Sequence, residues 1–398
     1  MPVITMLQRS LRTACGTMHA TRLRVLWAAV DAVTRGGRLT LTGIGRTLRS
    51  QTTVKHTIKR VDRLLSNPHF HRDRALLYTG LIQQVLGPQT RPVIIVDWSD
   101  LTPDRRWQVL RASLPVSGRA LTLYDEVHPL QKLGNRRVQH AFLRTLHRLL
   151  PAKVTPILVT DAGFRSPWFL AVTQLGWTFV GRVRNRDRVC FTPTSSWVPC
   201  KSLYAHARAT PTTLGLCELV RSRPFSCRLV LVKEPCKHRT HTSVWGQKVR
   251  SAHSRKQAAG NRDPWLLATS TTLAAYQATQ IVAFYRTRMQ IEEAFRDMKS
   301  EQYGFGLSGS RTTQRERWTM LLLIGSIAHL AVWLVGLATI QAREHYQYQA
   351  NTTRKRLVLS AITLGLQVIQ RGCDRLPASI LRHALRHSHG TVCALTPL

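Results

Sequence analysis

The chain has 398 residues, enough for two or three domains, because a single hydrophobic core rarely grows past about 250–300 residues. Lys and Arg number 58 against 20 Asp and Glu, a net charge of +38 with a pI near 11.5, which calls for an extended polyanionic partner, nucleic acid or an acidic membrane surface, and is silent on catalysis. The 8 cysteines form no CxxC pair and no apolar leader precedes them, so a disulfide-built secreted domain is set aside and a cytosolic protein with reduced thiols is expected.

Residues 1–90 carry helical periodicity and a basic balance, with only Asp31, Asp62 and Asp73 to offset their Lys and Arg. Within them, Thr52–Leu65 sets Lys55, His56, Lys59, Arg60 and Arg63 around Val54, Ile58, Val61 and Leu64–Leu65. This is an amphipathic helix with a cationic face. An ordinary solvated face carries more compensating acids, so the region is expected to be a helical DNA-end-binding domain with Lys55, Lys59 and Arg60 as contacts.

After Arg91-Pro92, Val93–Val96 is a continuous apolar strand that delivers Asp97-Trp98-Ser99-Asp100. Two strand-like runs, 107–115 and 119–127, follow across Ser117-Gly118, then a helix over 137–150 ended by Pro151. A fourth strand, Thr155–Thr160, again runs into an aspartate, Asp161-Ala162-Gly163-Phe164. Buried strands that end in Asp are where α/β sheets place active sites. Three strands, a helix and a fourth strand is the order of an RNase H-like sheet, here with a helix near 168–175 and a strand at 177–182, so residues 91–182 are expected to form the first part of such a core. Residues 183–270 change character, with short β-like runs at 188–192 and 226–233 and few acids, and form a β-rich basic insertion with a poorly ordered tip near 236–260. Cys227, Cys236, His238 and His241 cluster there, but at spacings that fit no common zinc module.

Residues 271–340 are expected to complete the core. One helix is expected over 274–303, and it carries Tyr285, Arg288, Glu292 and Lys299. At about 100° per residue, Tyr285 and Lys299 lie about 20° from Glu292 and Arg288 about 40°. A carboxylate flanked by two cations and a phenol suits a divalent metal held against phosphates. Residues 318–340 are an uncharged run long enough to span a bilayer. Mid-run Gly325, Ser326 and His329, with cationic chain on both sides, favour a buried core helix. Residues 341–398 read as a helical C-terminal region.

Asp97, Asp161 and Glu292 together make a triad of hard oxygen ligands of the kind that holds two Mg²⁺ ions for phosphoryl transfer. Asp100 is passed over as lying beyond the strand end, and Glu293 because it points about 100° from the stripe.

These residues resemble the insertion-sequence-four family of bacterial DDE transposases. Tyr285-x2-Arg288-x3-Glu292-x6-Lys299 is similar to that family's Tyr-Arg-Glu-Lys signature, and the motifs at Asp97 and Asp161 to its two aspartate motifs. The resemblance runs from Thr40–Leu65 to about Leu359. It implies cut-and-paste transposition through a hairpin intermediate, with Mg²⁺ (Mn²⁺ able to substitute) on Asp97, Asp161 and Glu292, and phosphates on Tyr285, Arg288 and Lys299. It further implies that Trp265 stacks on a base flipped from the hairpin, that Met289 helps push the base out, and that a dimer binds terminal inverted repeats and target DNA. Three other readings stay open: a catalytically inactive protein that occupies transposon ends, a plain RNase H-like nuclease, and a membrane protein built on 318–340.

Overall fold

The structure is a computed structural model that describes residues 1–398 except 117, 185–186, 192–195, 236–262, 354–355, 373–375 and 394–398, and the side chains of 387–393. In chain order its helices are α1 (Pro2–Leu11), α2 (Ala20–Thr34), α3 (Leu41–Thr47), α4 (Val54–Leu65), α5 (Pro68–Leu86), α6 (Arg136–Leu149), α7 (Ser166–Gln174), α8 (Ala278–Arg286), α9 (Met289–Lys299), α10 (Arg315–Gln341), α11 (Ala361–Gln370) and α12 (Ala378–Cys393). The strands are β1 (Val93–Asp100), β2 (Trp107–Val116), β3 (Arg119–Pro129), β4 (Ile157–Thr160), β5 (Thr178–Val183), β6 (Arg188–Cys190), β7 (Val198–Pro199), β8 (Thr212–Leu219), β9 (Phe225–Val232) and β10 (Trp265–Thr269). The chain divides into two compact units, residues 1–156 with 287–398, and residues 157–286.

In the first unit, β1, β2 and β3 form an antiparallel meander whose register sets Asp97 opposite Arg111 and Arg111 opposite Asp125. The core is organised on α10, which packs against α2, α5, β3, α11 and α12. It is apolar all round, which is the pattern of a helix surrounded by protein. Its most apolar stretch is 94% buried, so the segment that could have crossed a membrane is core. Each fully buried Leu or Ile there contributes about 1.5–3 kcal/mol. Gly325, which counts against a membrane span in the sequence, has a packing reason: a Cβ there would come within 2.5 Å of Met298 Sδ and 2.6 Å of Leu39 Cδ2. Gly336 and Gly365 likewise let α10 and α11 cross at backbone distance, where a Cβ would meet the carbonyl oxygens of Ala361 and Val332.

In the second unit, β4 and β5 are parallel, and β10, β9, β8, β6 and β7 continue the sheet from β5 through antiparallel pairs. The described residues of 183–270 include β6 to β10, with β8 an addition to the runs legible in the sequence. Arg228 of β9 donates through Nη1 to the carbonyls of Leu273, Ala274 and Tyr276, at 3.1, 3.2 and 2.7 Å. This fixes the turn that leads into α8. Cys227 is buried opposite Cys217, with the sulfurs 3.7 Å apart. Cys236, His238, His241 and the tip near 236–260 lie outside the described residues.

The helix expected over 274–303 is two helices. At Thr287 and Arg288 the bonds tighten to i→i+3, Gln290 N–H to Thr287 O at 2.9 Å and Ile291 N–H to Arg288 O at 3.2 Å, and the i→i+4 ladder is interrupted. The common stripe therefore holds for Arg288, Glu292 and Lys299 about α9, while Tyr285 belongs to α8 in the other unit.

Candidate active site

Strand alternation decides which acids of β1 face the same way. Asp97 and Ser99 share one side of the strand, Trp98 and Asp100 the other. β1 continues through Asp100, which pairs with Gln108. Asp100 is therefore not beyond the strand end, as expected, and is separated from Asp97 by face instead. It pairs with Arg105 at 3.4 Å.

Asp97 is 9% exposed. Its Oδ1 accepts from its neighbour Trp98 N–H at 2.8 Å, and its Oδ2 accepts from Arg288 Nη1 at 3.4 Å. The same Nη1 donates to Glu292 Oε1 at 2.6 Å. Arg288 caps α9 and Glu292 lies in its first turn, where the helix dipole favours a carboxylate. Two carboxylates from a strand and a helix thus converge on one cationic nitrogen. Glu293 is turned elsewhere and pairs with Arg296 and, at 4.0 Å, with Arg119.

Lys299 lies two turns along α9 from Glu292. Its Nζ donates to Ser99 Oγ at 2.7 Å and sits 5.4 Å from the Phe295 ring centroid. Burial lowers its pKa to about 8, with Asp100 opposing the shift and Arg111 adding to it. Met289, at the start of α9, is half-buried and accepts from Arg288 Nη2 at 3.3 Å through its sulfur.

A buried layer that sequence reasoning did not single out lies beneath this site. Arg111 and Asp125, each 1% exposed, form a bidentate pair with Nε–Oδ1 at 2.6 Å and Nη2–Oδ2 at 3.0 Å. The Arg111 guanidinium also stacks on Phe295 of α9 at 4.8 Å, and Ser326 of α10 donates to Asp125 at 3.4 Å. On another side of α9, Arg119 Nε donates to Asp297 Oδ2 at 2.6 Å. The helix bearing Glu292 is therefore tied to β2 and β3 of the meander that carries Asp97. The available signal was the oppositely charged pair on adjacent strands, but its register emerges only once β2 and β3 are paired.

In the second unit, Asp161 follows β4, half-buried, and its Oδ1 accepts from Gly163 N–H at 2.8 Å. A Cβ on Gly163 would come within 2.9 Å of Oδ1 and press on this carboxylate. Trp265 opens β10 and meets Tyr285 of α8 edge-on, with ring centroids 4.8 Å apart and planes at 73°. Tyr285 is 3% exposed. Arg182 of β5 donates to the carbonyls of Asp263 and Pro264 at 3.0 and 3.4 Å, which fixes the chain just before Trp265.

The basic helix α4 lies in the first unit. Thr57, Val61, Leu64 and Leu65 face inward, Lys55 and Lys59 are exposed and Arg60 is half-buried. Thr57 Oγ1 donates to Gly45 O at 2.6 Å, and a Cβ on Gly45 would strike Ile58, so α3 and α4 cross tightly. Arg22, His56, Lys59, Arg60 and Arg63 line a cavity of about 770 Å³.

Among the described residues, no group of three or more His, Cys, Asp or Glu is gathered as a metal cluster. The donor chemistry at Asp97 and Glu292 nevertheless fits a divalent metal: two hard oxygen donors already share one positive charge.

Residues 88–328 match the family model described as the transposase DDE domain, a span that brackets Asp97, Asp161 and Glu292. The chain belongs to the DDE transposase family. It is a transposase, an enzyme of DNA transposition and recombination, in a family that generally uses divalent metals. No curated protein matches it. Among solved structures it is similar to a piggyBac transposase in a synaptic complex with hairpin DNA, determined by cryo-EM, at 12% identity and a TM-score of 0.43, over 100% of this chain and 83% of that one.

Proposed function

We propose that this transposase works by cut-and-paste: it nicks transposon ends, excises them through a hairpin intermediate and joins the 3′-hydroxyls to target DNA. The observation that carries this reading is the convergence of Asp97 and Glu292 on one cationic nitrogen. The order of three antiparallel strands, α6 and then a parallel pair supports an RNase H-like core. Within the DDE enzymes, the Tyr285, Arg288, Glu292 and Lys299 spacing favours the insertion-sequence-four group, and the Met289–Glu293 run is most similar to the transposase of the tetracycline-resistance composite transposon ten.

Asp97, Asp161 and Glu292 would hold Mg²⁺, with Mn²⁺ as a substitute, which when bound supplies activation of the attacking oxygen and stabilisation of the leaving one. Tyr285, Arg288 and Lys299 bind non-reacting phosphates near the hairpin, and the Tyr285 ring also packs against Trp265. Trp265 stacks on a base displaced from the hairpin, an interaction worth about 1–3 kcal/mol. Lys55, Lys59 and Arg60 hold the terminal inverted repeats, two copies of the chain pair in the synaptic complex, and the site of action is the bacterial cytoplasm.

DNA carrying the inverted repeats that flank the gene, incubated with protein and Mg²⁺ and resolved on a denaturing gel, tests the reading. Hairpinned ends from the wild type and none from Asp97→Ala are expected. Binding without nicks in Mg²⁺ or Mn²⁺ would instead indicate a protein that only occupies transposon ends.

A further inference from the structure

Arg288 stands where a metal ion between Asp97 and Glu292 would have to stand. Its Nη1 lies 2.6 Å from Glu292 Oε1 and 3.4 Å from Asp97 Oδ2. Mg²⁺ sits about 2.0–2.1 Å from its oxygen ligands, so a metal shared by these two carboxylates and this guanidinium exclude one another by volume as well as by charge. The arginine is not on a freely swinging arm. It caps α9 at i−4 from Glu292, its side chain is 16% exposed, and its second terminal nitrogen is engaged by Met289 sulfur.

A displaced guanidinium needs another anion, and the planar fork of arginine matches a phosphodiester with two parallel hydrogen bonds. We propose that Arg288 makes metal acquisition conditional on DNA: in the DNA-free protein it closes the carboxylate pair, and a DNA phosphate draws it away and opens the pair to the metal. This rests on Asp97 and Glu292 being metal ligands, and it assigns Arg288 a second role beyond holding phosphate. Linkage then works in both directions, so a metal that displaces Arg288 frees it to bind DNA and strengthens DNA binding. The device confines the metal-dependent centre of a protein with net charge +38 to complexes in which a phosphate reaches Arg288.

The test is a Mn²⁺ titration of the DNA-free protein, followed by the loss of the free-ion EPR signal, on the wild type, Arg288→Gln, Arg288→Lys and Lys299→Met. Arg288→Gln is expected to bind Mn²⁺ at least tenfold more tightly than the wild type. Arg288→Lys, which keeps a cation at the position, is expected to stay within threefold of the wild type. Lys299→Met removes an equal charge from the same helix face without opening the pair, and is expected to gain less than threefold. In parallel, the factor by which Ca²⁺ strengthens binding of a fluorescent transposon end, measured at constant ionic strength, is expected to be smaller in Arg288→Gln than in the wild type. Equal Mn²⁺ affinity in Arg288→Gln and the wild type would overturn the proposal. So would an equal gain in Lys299→Met, which would reduce the effect to the general field. Adding Asp97→Asn and Glu292→Gln to the Arg288→Gln chain separates the two layers of the argument: unchanged Mn²⁺ binding there would refute the ligand assignment itself.

Discussion

In the first unit Asp97 and Glu292 share the Arg288 guanidinium, whereas in the second Trp265 packs against Tyr285. Around Asp97 and Glu292, Arg288 and Lys299 are tied by hydrogen bonds at 2.6–3.4 Å to groups on β1 and α9. Around Trp265, the Tyr285 ring packs in a T-shaped arrangement. Ion pairs of this kind place a reaction to within tenths of an ångström, but break readily when water or phosphate competes. A ring surface accepts any base, because every base has a π-face. On the proposed function, the ionic cluster of Asp97, Arg288 and Glu292 serves bond-breaking together with Asp161, and Trp265 serves the displaced base.

The largest test of this contrast addresses the layer beneath the ionic site. Removing one partner of a buried pair leaves an uncompensated charge and costs about 3–5 kcal/mol, whereas replacing both partners by apolar groups of similar volume is often neutral or stabilising. Arg111→Met alone should therefore lower unfolding stability in urea by about that amount, and Arg111→Met with Asp125→Leu should recover most of it. Because Arg111 also supports Phe295 beneath the Glu292 helix, the stable double variant should still cleave poorly. Full cleavage by that variant would make the layer a stabilising element only.

On the aromatic side, Trp265→Ala should slow hairpin formation by roughly 5–150-fold, the equivalent of about 1–3 kcal/mol, and leave first nicking within a few fold. The two steps can be timed separately on one denaturing gel. Equal loss of both would return Trp265 to a packing role.

The smallest effect concerns pH. Lys299 has a folded pKa of about 8 against 10.5 for a free lysine, with burial as the main cause. Between those values the unfolded chain holds the extra proton, so this group makes the fold more stable as pH rises from about 8 to about 10.5. Phosphate binding by its ammonium moves the opposite way. The ratio of wild-type to Lys299→Met affinity for a transposon end should fall by a few fold from pH 7 to pH 9, and a flat ratio would remove Lys299 from the phosphate contacts.

Much of this was legible in the sequence, for reasons that can be located. Apolar runs ending in Asp97 and Asp161 exposed the strands, and the i, i+4 spacing of Arg288 and Glu292 survives as a hydrogen bond. The amphipathic pattern of 52–65 gave α4 to within two residues. What failed was long-range or subtle. Nothing local in 274–303 marks the break at Thr287–Arg288, since the sequence has no Gly or Pro there and the interruption lies in hydrogen-bond spacing. The extension of β1 through Asp100 depends on pairing with β2. The Arg111–Asp125 layer depends on register across three strands, which no short window contains.

The most direct measurement replaces Asp97 and, separately, Glu292 by cysteine and compares end cleavage in Mg²⁺ with that in Mn²⁺. A thiolate is a poor ligand for Mg²⁺ and an acceptable one for softer ions. If these carboxylates bind the catalytic metal, both variants lose cleavage in Mg²⁺ and regain part of it in Mn²⁺, while Asp97→Ala and Glu292→Ala stay inactive in both. Equal activity of the cysteine variants in the two metals, or recovery of the alanine variants in Mn²⁺, would contradict the metal site on which the account rests.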